Sequence, residues 1–235
     1  MRIGIMGAMD EEIALIKNEM EIENIVTRAR MDYIQGKFEG KDIVLVRSGI
    51  GKVNAAVCTQ ILIDEFQIGA LIFTGVAGAV NEYLTIGDIV ISQDAVQHDV
   101  DATAFGYELG HIPRMDEKVF LADKDLVALA LKSSDDIKFQ GQHPKVMVGT
   151  VLSGDQFVAC PDKVKILREH FLGHCTEMEG AAVAHVCTLN SVPFVIIRSM
   201  SDKADGSAHM NFQEFVEKAA HNSYQMVKNM IKNYS

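Results

Sequence analysis

Apolar runs of strand length, alternating with stretches of helical period, constrain this chain more than any single residue does. Ile3–Met6 reads as a buried strand and Glu11–Met20 as a helix that turns Ile13, Leu15 and Ile16 inward. Asp32–Phe38 and Asp42–Ser48 flank the turn Glu39-Gly40 as a hairpin, so the sheet is expected to be mixed. A helix follows from about Lys52 to Phe66, then a strand over Ala70–Thr74 that runs into a glycine-bearing loop, Gly75-Val76-Ala77-Gly78. Further strands are expected near Asp88–Ile91, over Lys145–Leu152 and over Phe194–Met200, with helices over Glu179–Leu189 and from Phe212 to about Ile231. A sheet covered by helices on both faces buries such a pattern. The chain has 235 residues, 48% of them hydrophobic, without an internal repeat or a Pro-, Gly- or Ser-rich linker, so one α/β domain over residues 1–235 is expected.

Charge and cysteine usage narrow the function. A net charge of −10 and no long basic run argue against nucleic acid or an anionic membrane as partner. No apolar run approaches the roughly 18–20 residues of a membrane-spanning helix. Cys58, Cys160, Cys175 and Cys187 show neither CxxC pairing nor zinc-ligand spacing, and read as reduced packing thiols with no metal site. Asp10, Glu11 and Glu12 directly follow the apolar start of the chain, which suits a first strand better than a secretory leader. A cytoplasmic location is expected.

Several motifs could carry chemistry, and each has a plainer reading. Ser48-Gly49-Ile50-Gly51-Lys52 could cradle an anion at a helix N-terminus, but it lacks the spacing of a phosphate loop and the third glycine of a dinucleotide fingerprint, so it also reads as a tight turn. Glu12, Glu179 and Asp202 each stand near the end of an expected strand, where open α/β sheets place ligands. Glu12 and Glu179 could equally serve the helix dipole, Asp202 could fix the turn Ser201–Gly206, and Asp155 could form a turn. His98-Asp99 reads as a loop hydrogen-bond pair rather than a metal cluster, and His185 as a half-buried packing group. Gln97–Lys118 is the longest irregular stretch.

Taken together, the motifs resemble the 5'-methylthioadenosine/S-adenosylhomocysteine nucleosidases of the purine nucleoside phosphorylase superfamily. The resemblance rests on Gly4-Ile-Met-Gly-Ala-Met-Asp-Glu-Glu12, Ser48-Gly-Ile-Gly-Lys-Val-Asn-Ala55, Thr74-Gly-Val-Ala-Gly78 and His98-Asp-Val-Asp-Ala-Thr-Ala-Phe105. Ser153-Gly-Asp-Gln-Phe157, Glu177-Met-Glu-Gly-Ala-Ala182, Arg198-Ser-Met-Ser-Asp202 and Phe212-Gln-Glu-Phe215 continue it in the same order. It implies a three-layer α/β/α sandwich around a twisted mixed sheet, nucleoside phosphorylase-like, acting as a homodimer without metal or organic cofactor. It implies hydrolysis of the N-glycosidic bond of 5'-substituted adenosines, with Glu12 as the water-activating base and Asp202 as the adenine-protonating acid. Glu179 and Met178 would bind ribose, Arg198 would support the water site, and Ser201 precedes the acid. Phe157 would stack on adenine, and the main chain at Val158 would meet the base edge beside Gly78 and Val76. Met9, Ile50 and Phe212 would wall the sugar and its 5'-substituent, and Phe105 and Pro113 would reach into the partner's pocket. Val76 stands where many relatives carry serine, and Ala102 where many carry valine. Some motifs are similar to the branch that also accepts 6-amino-6-deoxyfutalosine. The alternatives are a phosphate-dependent purine nucleoside phosphorylase, which would need arginines where Asp10-Glu11-Glu12 stands, and a nucleoside-binding sensor, which would not use both Glu12 and Asp202.

Overall fold

A computed structural model describes residues 2–204 and 208–234. Asp205 and Gly206, at the end of the expected turn after Ser201, lie outside the described residues. The opening strand β1 (Ile3–Gly7) is wholly buried and leads into α1 (Asp10–Glu19), as its apolar run and the acidic first turn dictate. Three antiparallel strands follow, β2 (Glu21–Arg28), β3 (Met31–Phe38) and β4 (Lys41–Arg47). The β3–β4 hairpin is the expected one. β2 has no counterpart in the sequence reading because it is an exposed edge strand without an apolar face.

The chain continues through α2 (Lys52–Asp64), β5 (Ala70–Ala79), β6 (Ile89–Gln97), the two-residue β7 (Phe120–Leu121), α3 (Lys124–Lys132) and β8 (Val146–Ser153). It ends with α4 (Pro161–Phe171), β9 (Cys175–Glu177), α5 (Gly180–Leu189), β10 (Phe194–Asp202) and α6 (Ala208–Asn233). The strands form one ten-stranded mixed sheet. β5 pairs with β10 and β9, β10 with β6, β6 with β8, and β8 with β9, so five strands close into a ring. β1 pairs in parallel with β5 and with β4, which carries the sheet out to the β2 edge.

Helices cover both faces. Ala55, Cys58 and Leu62 of α2 and Ala181, Val183 and Cys187 of α5 belong to one apolar cluster. Ile13 and Ile16 of α1, Leu126 and Ala130 of α3, and Met226, Val227 and Met230 of α6 belong to the other. The four cysteines are free thiols; Cys58, Cys175 and Cys187 are buried and Cys160 is exposed. Among the described residues no helix is long and apolar enough to cross a membrane, and no group of His, Cys, Asp and Glu could hold a metal ion.

One sequence expectation fails in a useful way. Gly75-Val76-Ala77-Gly78 is no loop but the buried continuation of β5 to Ala79. A Cβ at Gly75 would lie 2.3 Å from Glu12 Oε1, and one at Gly78 would lie 2.8 Å from Asp202 Oδ1. The glycines are there because two carboxylates press against the strand, not because the chain turns. β10 likewise runs two residues past the expected end, to Asp202, with a register shift between Met200 and Asp202 that aims the last side chain.

Candidate active site

β5 contributes Val76, Ala77 and Gly78 to the floor of a cleft of about 110 Å³. At one end stands Glu12, third residue of α1, whose carboxylate folds back onto the turn that precedes the helix. Ala8 and Met9 donate their backbone N–H groups to Oε2 at 2.6 and 2.9 Å, and Val76 donates to Oε1 at 3.0 Å. Glu12 is therefore half of a capping box and, at the same time, a buried acceptor aimed at β5. Burial raises its pKa, against the pull of Arg198 and the three backbone N–H groups. A carboxylate that binds protons more readily than usual yet is held in one orientation suits a general base.

At the other end is Asp202, 2% exposed. Ser201 Oγ donates to its Oδ2 at 2.9 Å, and the Ala204 N–H donates to its Oδ1 at 2.7 Å. The turn-fixing contact expected from sequence is thus present and leaves the carboxyl on the cleft. Gly75 faces Glu12 and Gly78 faces Asp202. Gly75 and Gly78 are about 10 Å apart along the extended strand.

Glu179 precedes α5 on the same cleft and is 5% exposed. Its Oε1 accepts the Gly51 N–H at 2.8 Å. Burial, then the neighbouring Glu177, push its carboxyl up to about 8. The Ser48–Lys52 turn does meet an acidic group, and that group is this side chain of the same protein.

Residues 2–232 match the family model of the phosphorylase superfamily. A Bacillus pumilus 5'-methylthioadenosine/S-adenosylhomocysteine nucleosidase is 42% identical over 233 residues, covering 99% of each chain. The chain belongs to this nucleosidase family of the phosphorylase superfamily. A Psychromonas ingrahamii nucleosidase is 43% identical over 235 residues, again covering 99% of each. Among solved structures, the Neisseria meningitidis nucleosidase in complex with methylthio-immucillin-A superposes with a TM-score of 0.92 at 41% identity, covering 98% of both chains. The futalosine hydrolase of Helicobacter pylori strain 26695 superposes with a TM-score of 0.91 at 36% identity, covering 98% of this chain and 97% of that one.

The residues that the family resemblance singles out fall into three groups. Met178, Val158, Gly78, Val76 and Ser201 line the cleft with the three carboxylates. Met9, Ile50, Phe157 and Phe212 also line it, and the Phe157 and Phe212 rings meet edge to face, 5.7 Å apart, above it. Phe105 and Pro113 are exposed and away from this cleft, Phe105 to 85%. Arg198 is 1% exposed and meets Gly75 on the same side as Glu12, with its guanidinium 4.0 Å from the centre of the Phe73 ring.

Glu177 was not among the residues that sequence reasoning assigned a role. Its Oε2 accepts from Arg198 Nη2 at 2.6 Å and from Nε at 3.2 Å. It also accepts from the Ser153 hydroxyl and from the Gly180 N–H. Burial alone would lower the Arg198 pKa, but Glu177 and then Glu12 outweigh it and raise it. The available signal was a third acid beside Met178-Glu179, next to a strand carrying a buried arginine. Glu177→Gln should lower the melting midpoint by several degrees, because breaking one side of a buried pair costs roughly 3–5 kcal/mol. A thermal melt that matches the wild type would show that Arg198 does not depend on this partner.

Two further expectations are corrected. His98 and Asp99 are not a hydrogen-bonded pair. Both ring nitrogens of His98 are buried without a hydrogen-bond partner among the described residues, and burial lowers its pKa to about 4. Asp99 instead binds Lys52. Asp155 does more than form a turn, since it accepts the Lys52 N–H at the start of α2. His185 is the expected packing group, stacked on Phe120 with ring centres 4.6 Å apart.

Proposed function

We propose that this chain uses water to cleave the N-glycosidic bond of 5'-substituted adenosines, releasing adenine and the 5'-substituted ribose. The observation that carries the reading is the meeting of two buried carboxylates with the second half of β5, at Gly75 and Gly78, on a cleft that Glu179 also lines. Asp202 gives a proton to adenine N7 as the C1'–N9 electrons move onto the base. Glu12 orients a water towards C1' and takes its proton as the new C–O bond forms, like the second carboxylate of an inverting glycosidase. Ser201 Oγ holds Asp202 in place. Glu179 accepts hydrogen bonds from the 2'- and 3'-hydroxyls, which favour its ionised form, and its charge stabilises an oxocarbenium-like sugar. Phe157 stacks on adenine, the Val158 main chain meets its edge, and Met9, Ile50 and Phe212 pack on the sugar and the 5'-substituent.

The substrates fitting this reading are 5'-methylthioadenosine, S-adenosylhomocysteine, 5'-deoxyadenosine and 6-amino-6-deoxyfutalosine, and the role is methionine salvage in the cytoplasm. The working unit is a homodimer in which Phe105 and Pro113 complete the partner's pocket. The 85% exposure of Phe105 supports this, because so bare an aromatic ring is costly unless another surface covers it.

Water rather than phosphate is the attacking group. Arg198, whose charge acts on Glu12, is already paired with Glu177. Glu11 adds negative charge in the first turn of α1, while the exposed Asp10 is paired with Arg47. Adenine release from 5'-methylthioadenosine should therefore proceed at an unchanged rate in phosphate-free buffer. Release that requires phosphate and yields a ribose 1-phosphate would overturn the hydrolytic reading.

A further inference from the structure

Contacts around the start of α2 reach one cleft carboxyl, Glu179, and two carboxylates that the proposed chemistry leaves unused, Asp155 and Asp99. α2 begins on Gly51, which has no side chain to cap it, and no acid lies in its first turn. Its leading N–H groups go to carboxylates from distant segments: Gly51 to Glu179 at 2.8 Å and Lys52 to Asp155 at 2.9 Å. The Asp155 N–H in turn donates to Asp99 Oδ2 at 3.0 Å. Asp99 Oδ1 accepts from Lys52 Nζ at 2.6 Å, and the same ammonium donates to Gln97 Oε1 at 3.2 Å. The contacts close on themselves, from the Lys52 backbone through Asp155 and Asp99 to the Lys52 side chain. Burial alone would raise the Asp99 pKa, but the Lys52 ammonium and the Asp155 N–H outweigh it and keep it below the usual carboxylate range.

This is not an ordinary surface ion pair. The Lys52 and Asp99 side chains are each only 18% exposed, and two of the partners are backbone groups whose positions define the cleft. On one side the ring fixes the turn whose Gly51 N–H orients Glu179. On the other it fixes the residue just before Gln156, Phe157 and Val158, which line the cleft. A free turn and a free aromatic segment would each need ordering at the moment of binding, and that ordering weakens affinity.

We infer that Asp99 is a positioning residue for this site: through Lys52 and Asp155 it locks the start of α2 behind Glu179 and anchors the segment that carries Phe157. The kinetic consequence rests on the nucleosidase reading above; the mechanical one does not. Asp99→Asn keeps the shape and an acceptor for the Asp155 N–H while removing the charge from Lys52, and Lys52→Met opens the ring from the other side. In either variant, KM for 5'-methylthioadenosine should rise about tenfold with kcat within about threefold, since the reacting carboxylates are untouched. The preference for this nucleoside over its 2'-deoxy counterpart should shrink, because Glu179 is less firmly held, and Lys52→Arg should restore most of both.

Amide exchange supplies the readout that does not depend on turnover. Residues 49–54 and 154–158 should lose protection together, by at least about threefold, in both variants. Folded variants with wild-type KM and wild-type hydroxyl preference overturn the positioning role, as does exchange that rises in one segment alone. Failure of the nucleosidase reading shows up separately, as wild-type protein that leaves the nucleoside intact while the two segments still loosen together.

Discussion

Asp202→Asn should lower kcat for 5'-methylthioadenosine by at least about 10²-fold, the range expected when a general acid is lost. The substitution is nearly isosteric. An asparagine oxygen can still accept the Ala204 N–H that now meets Oδ1 at 2.7 Å, so the end of β10 keeps its course. What disappears is the proton. The departing base must then leave as an anion in a buried site, and an analogue whose base leaves readily without protonation should show a much smaller loss. Wild-type turnover in the variant, or an equal loss for both nucleosides, would remove Asp202 from the role of acid.

Glu12→Gln should be at least as damaging, on the order of 10²- to 10⁴-fold in kcat. Two effects combine. Glu12 accepts three backbone N–H groups across both oxygens, and an amide must turn its own NH2 towards at least one of them, which misplaces the side chain as well as neutralising it. The pH dependence gives the sign of the effect. Because burial raises the Glu12 pKa above its ordinary 4.5, the base becomes protonated, and kcat/KM falls, at a pH above 4.5 as the solution is acidified. The residual activity of Glu12→Gln should lack that limb. A variant profile that keeps the same acid limb would show that another group reports there.

The long buried strands and amphipathic helices were legible because their patterns follow from one-sided burial, as in β1 and the β3–β4 hairpin. β2, β7 and β9 were not: two are two or three residues long, and β2 shows water almost all of its side chains. α3 and α4 escaped notice although each is amphipathic, because neither stands beside a motif that drew attention to it. The three acids could be singled out from their places near strand ends, and the resemblance supplied their roles. Glu177 lacked such a cue because its value lies in Arg198, twenty-one residues on and adjacent only in space. The glycines of β5 misled for a related reason. Glycine usually marks a turn, and its other use, making room for something large against the main chain, is visible only when the intruding group comes from elsewhere in the sequence.

That use of glycine makes β5 a ruler. The peptide units from Gly75 to Gly78 space the two points at which Glu12 and Asp202 meet the main chain, a length that side-chain replacement elsewhere in the cleft leaves unaltered. On the proposed reading, whatever hangs from the far carbon of the sugar would be gauged by a different wall, built from Met9, Ile50 and Phe212. Breadth of diet can therefore drift in one part of the molecule while the stroke of the reaction stays calibrated in another.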